Sequence, residues 1–210
     1  YSAERHPVAA GLIHGTDLAY RGVLHPSELR QRAARLIGPF LTRSERVQGF
    51  MRSTLEEISI AYPESPLNCD LGGARGPSPG ERMLDATVVR AADQATVTLA
   101  GLTETSIAWT LLLFAGDDDG AGAEMARLAA AAEGRFGERI APWFVVAGQA
   151  ALDGMTRLDR VLLDPLRPLH DRYGVGGPAL YLFRPDAVVC ARAPLSRWED
   201  IVAHLQGILA

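Results

Sequence analysis

The sequence predicts an α/β domain, a mixed sheet flanked by helices, preceded by a helical segment. Three observations predict it. As far as residue 55 the apolar residues recur at three- and four-residue steps, the period of an amphipathic helix. Residues 63–82, PESPLNCDLGGARGPSPGER, then break the pattern with prolines and glycines and no apolar period. Beyond that break, apolar runs of strand length alternate with helix-period stretches, and the chain closes on a hairpin pattern followed by one more amphipathic helix.

The first helix is expected from Pro7 to about Val23, with Val8, Leu12, Ile13, Ala19, Tyr20 and Val23 along one face and Pro7 suited to a first helical turn. A second starts near Pro26 and carries Leu29, Ala33, Leu36, Ile37 and Phe40, with Gly38 and Pro39 disturbing its end. A third starts at Thr42, whose spacing to Glu45 is that of a capping box, and runs through Val47, Phe50, Met51 and Leu55. Residues 58–62 alternate as a short strand. The apolar faces of the three helices need a partner, either another domain or a second copy of the chain.

After the break, strands are expected at 85–90, 95–100, 109–115 and 142–147, with an alanine-rich helix at 122–136 and a shorter one at 165–173. The hairpin strands are 178–183 and 187–192. The last helix, 196–209, opens with a Ser196 and Glu199 capping box and repeats Trp198, Ile201, Val202, Leu205 and Ile208 on one face. No internal repeat is present. A crossover helix followed by a final antiparallel hairpin is the layout of a thioredoxin-like domain. Pro178 stands where the first hairpin strand opens, and because X-Pro is the peptide bond for which cis costs least, a cis-proline is expected there.

Composition narrows the function. With 48% hydrophobic and 22% charged residues in 210, the chain is long enough for one substantial core or two small ones. The formal net charge is -4 and the basic residues form no cluster, which argues against nucleic acid. All 21 basic residues are arginine, a codon-composition habit to which no function is attached. No apolar run approaches the roughly 18–20 residues of a membrane span, so a cytoplasmic protein without a membrane partner is expected. The chain opens on tyrosine rather than methionine, as a piece of a longer protein would.

Thioredoxin-like redox chemistry needs a low-pKa thiolate at the start of the first helix of the domain. Between Gly116 and Arg135 there is no cysteine, serine or threonine. The cysteines, Cys69 and Cys190, lie far apart with no C-x-x-C, which suggests neither a disulfide framework nor a zinc site; Cys190 reads as a core residue inside a strand. Asp117, Asp118 and Asp119 lack the spacing of a calcium loop and read as a solvated turn before a helix N-terminus. His6, His14, His25, His170 and His204 form no metal pair and read as structural or exposed, with His170, beside Asp171 and Arg167, the one alternative as a general base. Gly72-Gly73 and Gly176-Gly177 lack the spacing of a dinucleotide fingerprint.

Four stretches in order carry a resemblance: YSAERHPVAAGLIHGTD at 1–17, ISIAYPESPL at 58–67, GPSPGERMLDATVV at 76–89 and YLFRPDAVVCAR at 181–192. Together they resemble the C-terminal part of the single-component flavoprotein aromatic hydroxylases, the group of phenol hydroxylases and actinobacterial polyketide hydroxylases. The chain departs from that pattern at Ala187, where the family usually has glycine, at Met83 and at Cys190. The resemblance implies that residues 1–70 are the helical tail of a flavin domain and 76–210 a thioredoxin-like C-terminal domain lacking redox cysteines. It also implies a parent that uses FAD and NAD(P)H to insert one oxygen atom into an aromatic ring, with the flavin-binding motifs upstream of Tyr1. No residue of this chain is then catalytic, cofactor-binding or metal-binding, and the segment packs on the upstream FAD-binding domain or forms a homodimer contact. The alternatives are a free-standing, redox-inactive thioredoxin-fold module that binds another protein, and an enzyme using Cys190 as a lone peroxidatic thiol.

Overall fold

The computed structural model describes residue 13 and residues 61–209 apart from 73, 105, 119, 149–151, 153, 154 and 156. The three expected N-terminal helices and residues 58–60 lie outside the described residues; Ala61 and Tyr62 are irregular. Two compact units divide the chain between Ser65 and Pro66.

The second unit is built on one sheet of eight strands among the described residues, in the order β1-β8-β7-β4-β5-β6-β2-β3. Its elements are β1 (Cys69–Asp70), β2 (Thr87–Arg90), β3 (Thr96–Thr98), α1 (Leu99–Glu104), β4 (Trp109–Phe114), α2 (Gly122–Phe136), β5 (Ile140–Val146), β6 (Val161–Leu163), α3 (Pro168–Arg172), β7 (Ala179–Phe183), β8 (Val189–Pro194) and α4 (Trp198–Leu209). β4, β5 and β6 run parallel, while β7 is antiparallel to both β4 and β8. The sheet is therefore mixed, with the terminal hairpin on one side of the parallel strands and the β2–β3 hairpin beyond the other.

The central strands are apolar on both faces, which is why they read as continuous runs rather than as alternation. Leu111 and Leu113 of β4, with Leu180 and Leu182 of β7, join one core with Met125, Leu128 and Ala132 of α2 and Ile201 and Leu205 of α4. Leu112 and Phe114, with Tyr181 and Phe183, join the other with Leu99 of α1, Leu169 of α3 and Tyr173. The inward residues of α2 and α4 recur at three- and four-residue steps, so each helix presents one stripe to the sheet. Pro142 is tolerated inside β5 because pairing with β6 begins only at Phe144, so its missing N–H leaves no gap in that ladder.

Several boundaries differ from expectation for identifiable reasons. The strand expected at 95–100 stops at Thr98 and turns into α1, because Thr98 Oγ1 accepts from the Gly101 amide at 3.1 Å and Asp85 Oδ1 from the Ala100 amide at 3.0 Å. The strand expected at 85–90 starts at Thr87 for the same reason, since Asp85 is occupied with capping. The helix expected at 165–173 shortens to Pro168–Arg172, preceded by the unforeseen β6. α4 starts at Trp198 after a 3-10 turn over Leu195–Arg197, so Ser196 lies inside that turn and not at the cap.

Pro178 is not cis. Among the described residues every peptide bond is trans. The strand entry is held instead by backbone hydrogen bonds on either side of the proline: the Gly176 carbonyl accepts from the Asp117 amide at 2.8 Å, and the Pro178 carbonyl from the Leu195 amide at 3.2 Å. The hairpin's far turn places Ala187 at φ 61, the left-handed conformation for which glycine is the cheap residue.

Candidate functional site

In an open α/β sheet ligands gather beyond the carboxyl ends of the parallel strands, here where β4 leads into α2. That loop is held closely. Gly116 has φ +67 and lies against the neighbouring loop, where a Cβ would come within 2.4 Å of the Gly177 carbonyl carbon. Arg167, itself at φ 60, reaches across: Nη1 donates to the Gly116 carbonyl at 3.0 Å, and Nη2 pairs with Asp117 Oδ1 at 2.9 Å and donates to the Val175 carbonyl at 3.3 Å. One guanidinium thus ties the loops before α2, α3 and β7 together. Asp118 is used inside its own turn, accepting from the Gly120 amide on Oδ1 at 2.8 Å and from the Ala121 amide on its carbonyl at 3.1 Å. Asp119 lies outside the described residues.

This arrangement does not fit a flavin or nicotinamide dinucleotide. A diphosphate at a helix N-terminus needs open amides, whereas here the amides of Asp117, Asp118, Gly120 and Ala121 already have acceptors within the loops. No group of three or more metal-ligating side chains occurs among the described residues. Between Gly116 and Ala121 the sequence has no cysteine, serine or threonine.

Behind it lies a buried pair that the sequence reading did not identify. His170 was associated there with Asp171 and Arg167, but the structure leaves Asp171 exposed and gives Arg167 to Asp117. His170 pairs with Asp164 instead, Nδ1 lying 2.7 Å from Oδ2 with both side chains enclosed. The Asp164 carboxylate also accepts from the amides of Leu169, at 3.1 Å, and His170, at 2.9 Å. Burial alone would raise the Asp164 carboxyl, but these hydrogen bonds outweigh it and hold the group below the ordinary carboxylate range. An ionised Asp164 assigns the proton to Nδ1. Nε2 is buried without a hydrogen-bond partner, and the ring stands edge-on to Phe114 with centroids 5.3 Å apart. A general base must reach its substrate; His170 is 0% exposed and serves the core. An aspartate four residues ahead of a proline that opens a helix was the available signal, as a distant form of N-cap.

The two cysteines sit at the other end of the sheet order. Cys190 is fully buried, and Sγ donates to the Leu67 carbonyl at 2.8 Å, as suits a core thiol. Cys69 is half-buried on β1; burial, then the charges of Asp200 and Asp70, push its thiol up. His204 Nε2 donates to the same Leu67 carbonyl at 2.8 Å. His6, His14, His25 and Gly73 lie outside the described residues, and Gly72 takes φ 78 in a turn closed by Asp70.

A cleft of about 760 Å³ opens between β3, α1 and the start of β5, lined by Leu102, Ile140, Trp143, Arg90, Arg160 and Glu138 among others. The Arg160 guanidinium lies 4.8 Å from the Trp143 ring centroid. The two arginines of the cleft are paired, Arg90 with Asp93 at 2.7 Å and Arg160 with Asp159 at 3.8 Å. Nothing in the sequence pattern signalled it. Among the described residues no helix is long and apolar enough to cross a membrane.

No protein-family model matches the chain, and no curated protein matches it. Solved structures do. The flavin-dependent monooxygenase PieE, solved with FAD and substrate, matches 90% of this chain with 31% of its own, at 17% identity and a TM-score of 0.54. A putative protein disulfide isomerase from Bacteroides thetaiotaomicron matches 66% of this chain with 94% of its own, at 17% identity and a TM-score of 0.51. Aklavinone-11 hydroxylase, solved with FAD and aklavinone, matches 71% with 26% at 23% identity and a TM-score of 0.49. The chain thus spans about a third of the length of the monooxygenase PieE. At these identities the matches establish the fold, a mixed α/β sheet of thioredoxin type.

Proposed function

We propose that this chain is the C-terminal segment of an FAD- and NAD(P)H-dependent aromatic hydroxylase, with a structural or dimer-forming role and no catalytic site of its own. Residues 1–70 form the helical tail of the flavin domain and 76–210 the thioredoxin-like module. The observation that carries this reading is the extent of the PieE match. It takes in 90% of the chain and so runs past the second unit, whereas the disulfide isomerase match stops at 66%. The loop before α2 supports it, since Asp117, paired with Arg167, and Asp118, bonded to the Gly120 amide, stand where a redox enzyme of this fold would carry thiols. In the parent, FAD bound upstream supplies oxygen activation, the ring to be oxidised is bound there too, and this segment packs on that domain in the cytoplasm.

The 94% coverage of the disulfide isomerase favours a second reading, a free-standing interaction module of this fold. The reading frame upstream of Tyr1 in the source genome decides between them. In-frame codons for a G-x-G-x-x-G strand-turn-helix support the hydroxylase segment, and an initiation codon immediately before Tyr1 overturns it. On either reading the chain purified alone carries no visible flavin absorption.

A further inference from the structure

The fold brings together the two cysteines that 120 intervening residues separate in sequence. Cys69 on β1 lies opposite Ala191 in the parallel ladder, so Cys190 is its diagonal neighbour on β8. Regular strands about 4.8 Å apart with a rise of about 3.3 Å per residue would set such diagonal Cα atoms about 5.8 Å apart, within the roughly 4.4–6.8 Å that a disulfide spans. The β7–β8 register slips between Leu182 and Phe183, leaving Cys190 as the extra residue between Val189 and Ala191. That slip turns Cys190 onto the face of the sheet where Cys69 packs, and both belong to the same apolar cluster. Cys190 Sγ already crosses the gap between the chains, because its acceptor, the Leu67 carbonyl, lies two residues before Cys69. β1 is a two-residue strand at the edge of the sheet, so small adjustments there disturb one neighbour only.

We propose that Cys69 and Cys190 are a thiol–disulfide exchange pair, a redox modification site at the β1 edge, with Cys69 attacking and Cys190 resolving. The half-buried Cys69, which gives up its proton to solvent more readily as pH rises, attacks as the thiolate one sulfur of a small-molecule disulfide, forming a mixed disulfide and expelling one thiolate. Cys190, enclosed and reachable only from within the fold, then attacks Cys69 Sγ, its proton passing to the departing second thiolate as the protein disulfide forms. Each expelled thiolate takes up one proton. Two protein thiols are oxidised as one disulfide is reduced to two thiols. The bridge pins the start of the second unit to β8.

The test is incubation of the full chain with oxidised glutathione, followed by intact mass under denaturing, non-reducing conditions. The two cysteines are the only ones in the chain, so the count is unambiguous. The wild type should become a monomer lighter by two hydrogens, with both thiols lost and the melting temperature raised by about 4–16 °C. Cys190→Ser, or Cys190→Ala should the hydroxyl prevent folding, should stop at one glutathione adduct on Cys69, and Cys69→Ser should take up none. A wild-type chain that retains the adduct, links to a second copy, or keeps both thiols free in the native state overturns the proposal. The wild-type measurement stands whether or not the variants fold.

Discussion

Replacing Asp164 by alanine removes the acceptor of three hydrogen bonds at once: the His170 ring at 2.7 Å and the amides of His170 and Leu169 at 2.9 and 3.1 Å. None of those donors can turn to water, because Leu169 and His170 are 0% exposed. Breaking a buried pair while leaving its partners unsatisfied costs about 3–5 kcal/mol. For a domain of this size that lowers the melting temperature by about 6–20 °C. Asp164→Asn keeps one oxygen acceptor and should lose less. The assay is urea and thermal unfolding followed by circular dichroism across pH. Because the folded carboxyl is held below its ordinary value, its contribution is fully present above the unfolded value of about 3.9 and is lost as pH falls through the folded one. The gap between wild type and Asp164→Ala should therefore stay constant from neutral pH to about 4 and narrow below it. A variant within about 1 kcal/mol of wild type at pH 7, or a gap that widens in acid, refutes the account of this buried pair.

Ala187→Gly should stabilise the protein by about 0.5–1 kcal/mol, raising the melting temperature by a few degrees, because Ala187 sits at φ 61 in the hairpin turn; a lower melting point would contradict that. Gly116→Ala should shift the urea midpoint downward by the equivalent of about 2–4 kcal/mol, since its Cβ meets the Gly177 backbone at 2.4 Å on top of a positive φ. Tyr173→Phe should cost about 1–2 kcal/mol by leaving the Leu84 carbonyl, now 2.9 Å from the hydroxyl, without that donor. Burial raises both Tyr173 and Tyr181, so in an alkaline absorbance titration neither should ionise in the ordinary tyrosine range of about 10, and their signal should arrive with unfolding.

The elements that sequence pattern places well are those whose surroundings are uniform along their length. β4 apart from Thr110, and β7 throughout, are near-continuous apolar runs because both faces are covered, and α2 occupies the residues its alanine-rich period marks out, Gly122–Phe136. Features that depend on distant partners were hidden. β1 is two residues whose ladder partners, Ala191 and Arg192, lie far along the chain, so composition showed only a proline- and glycine-rich break. β6 has three residues and no pattern of its own. Thr98 could be read as strand or as cap, and Asp85, thirteen residues away, decides it. At the candidate site the run from Gly116 to Arg135 holds no cysteine, serine or threonine, which is a fact of the sequence itself. The partner of His170 was not legible there, because Asp164 meets it across a strand-to-helix turn rather than along one helix face.

The segment that follows Ser65 has a consequence for where this protein can be cut. Leu71, Gly80 and Met83 donate amide hydrogens to Arg192, Val189 and Ala187, while Arg192 clasps Asp70 at 2.8 Å and the Gly76 carbonyl at 2.8 Å. A fragment begun at residue 76, where composition suggests the module starts, would strip β8 of β1 and expose a length of unpaired apolar strand edge. Such an edge recruits the same edge of another molecule. Begun at Pro66, the fragment keeps its own cover, so the ten residues between those two starting points separate a soluble module from an aggregating one.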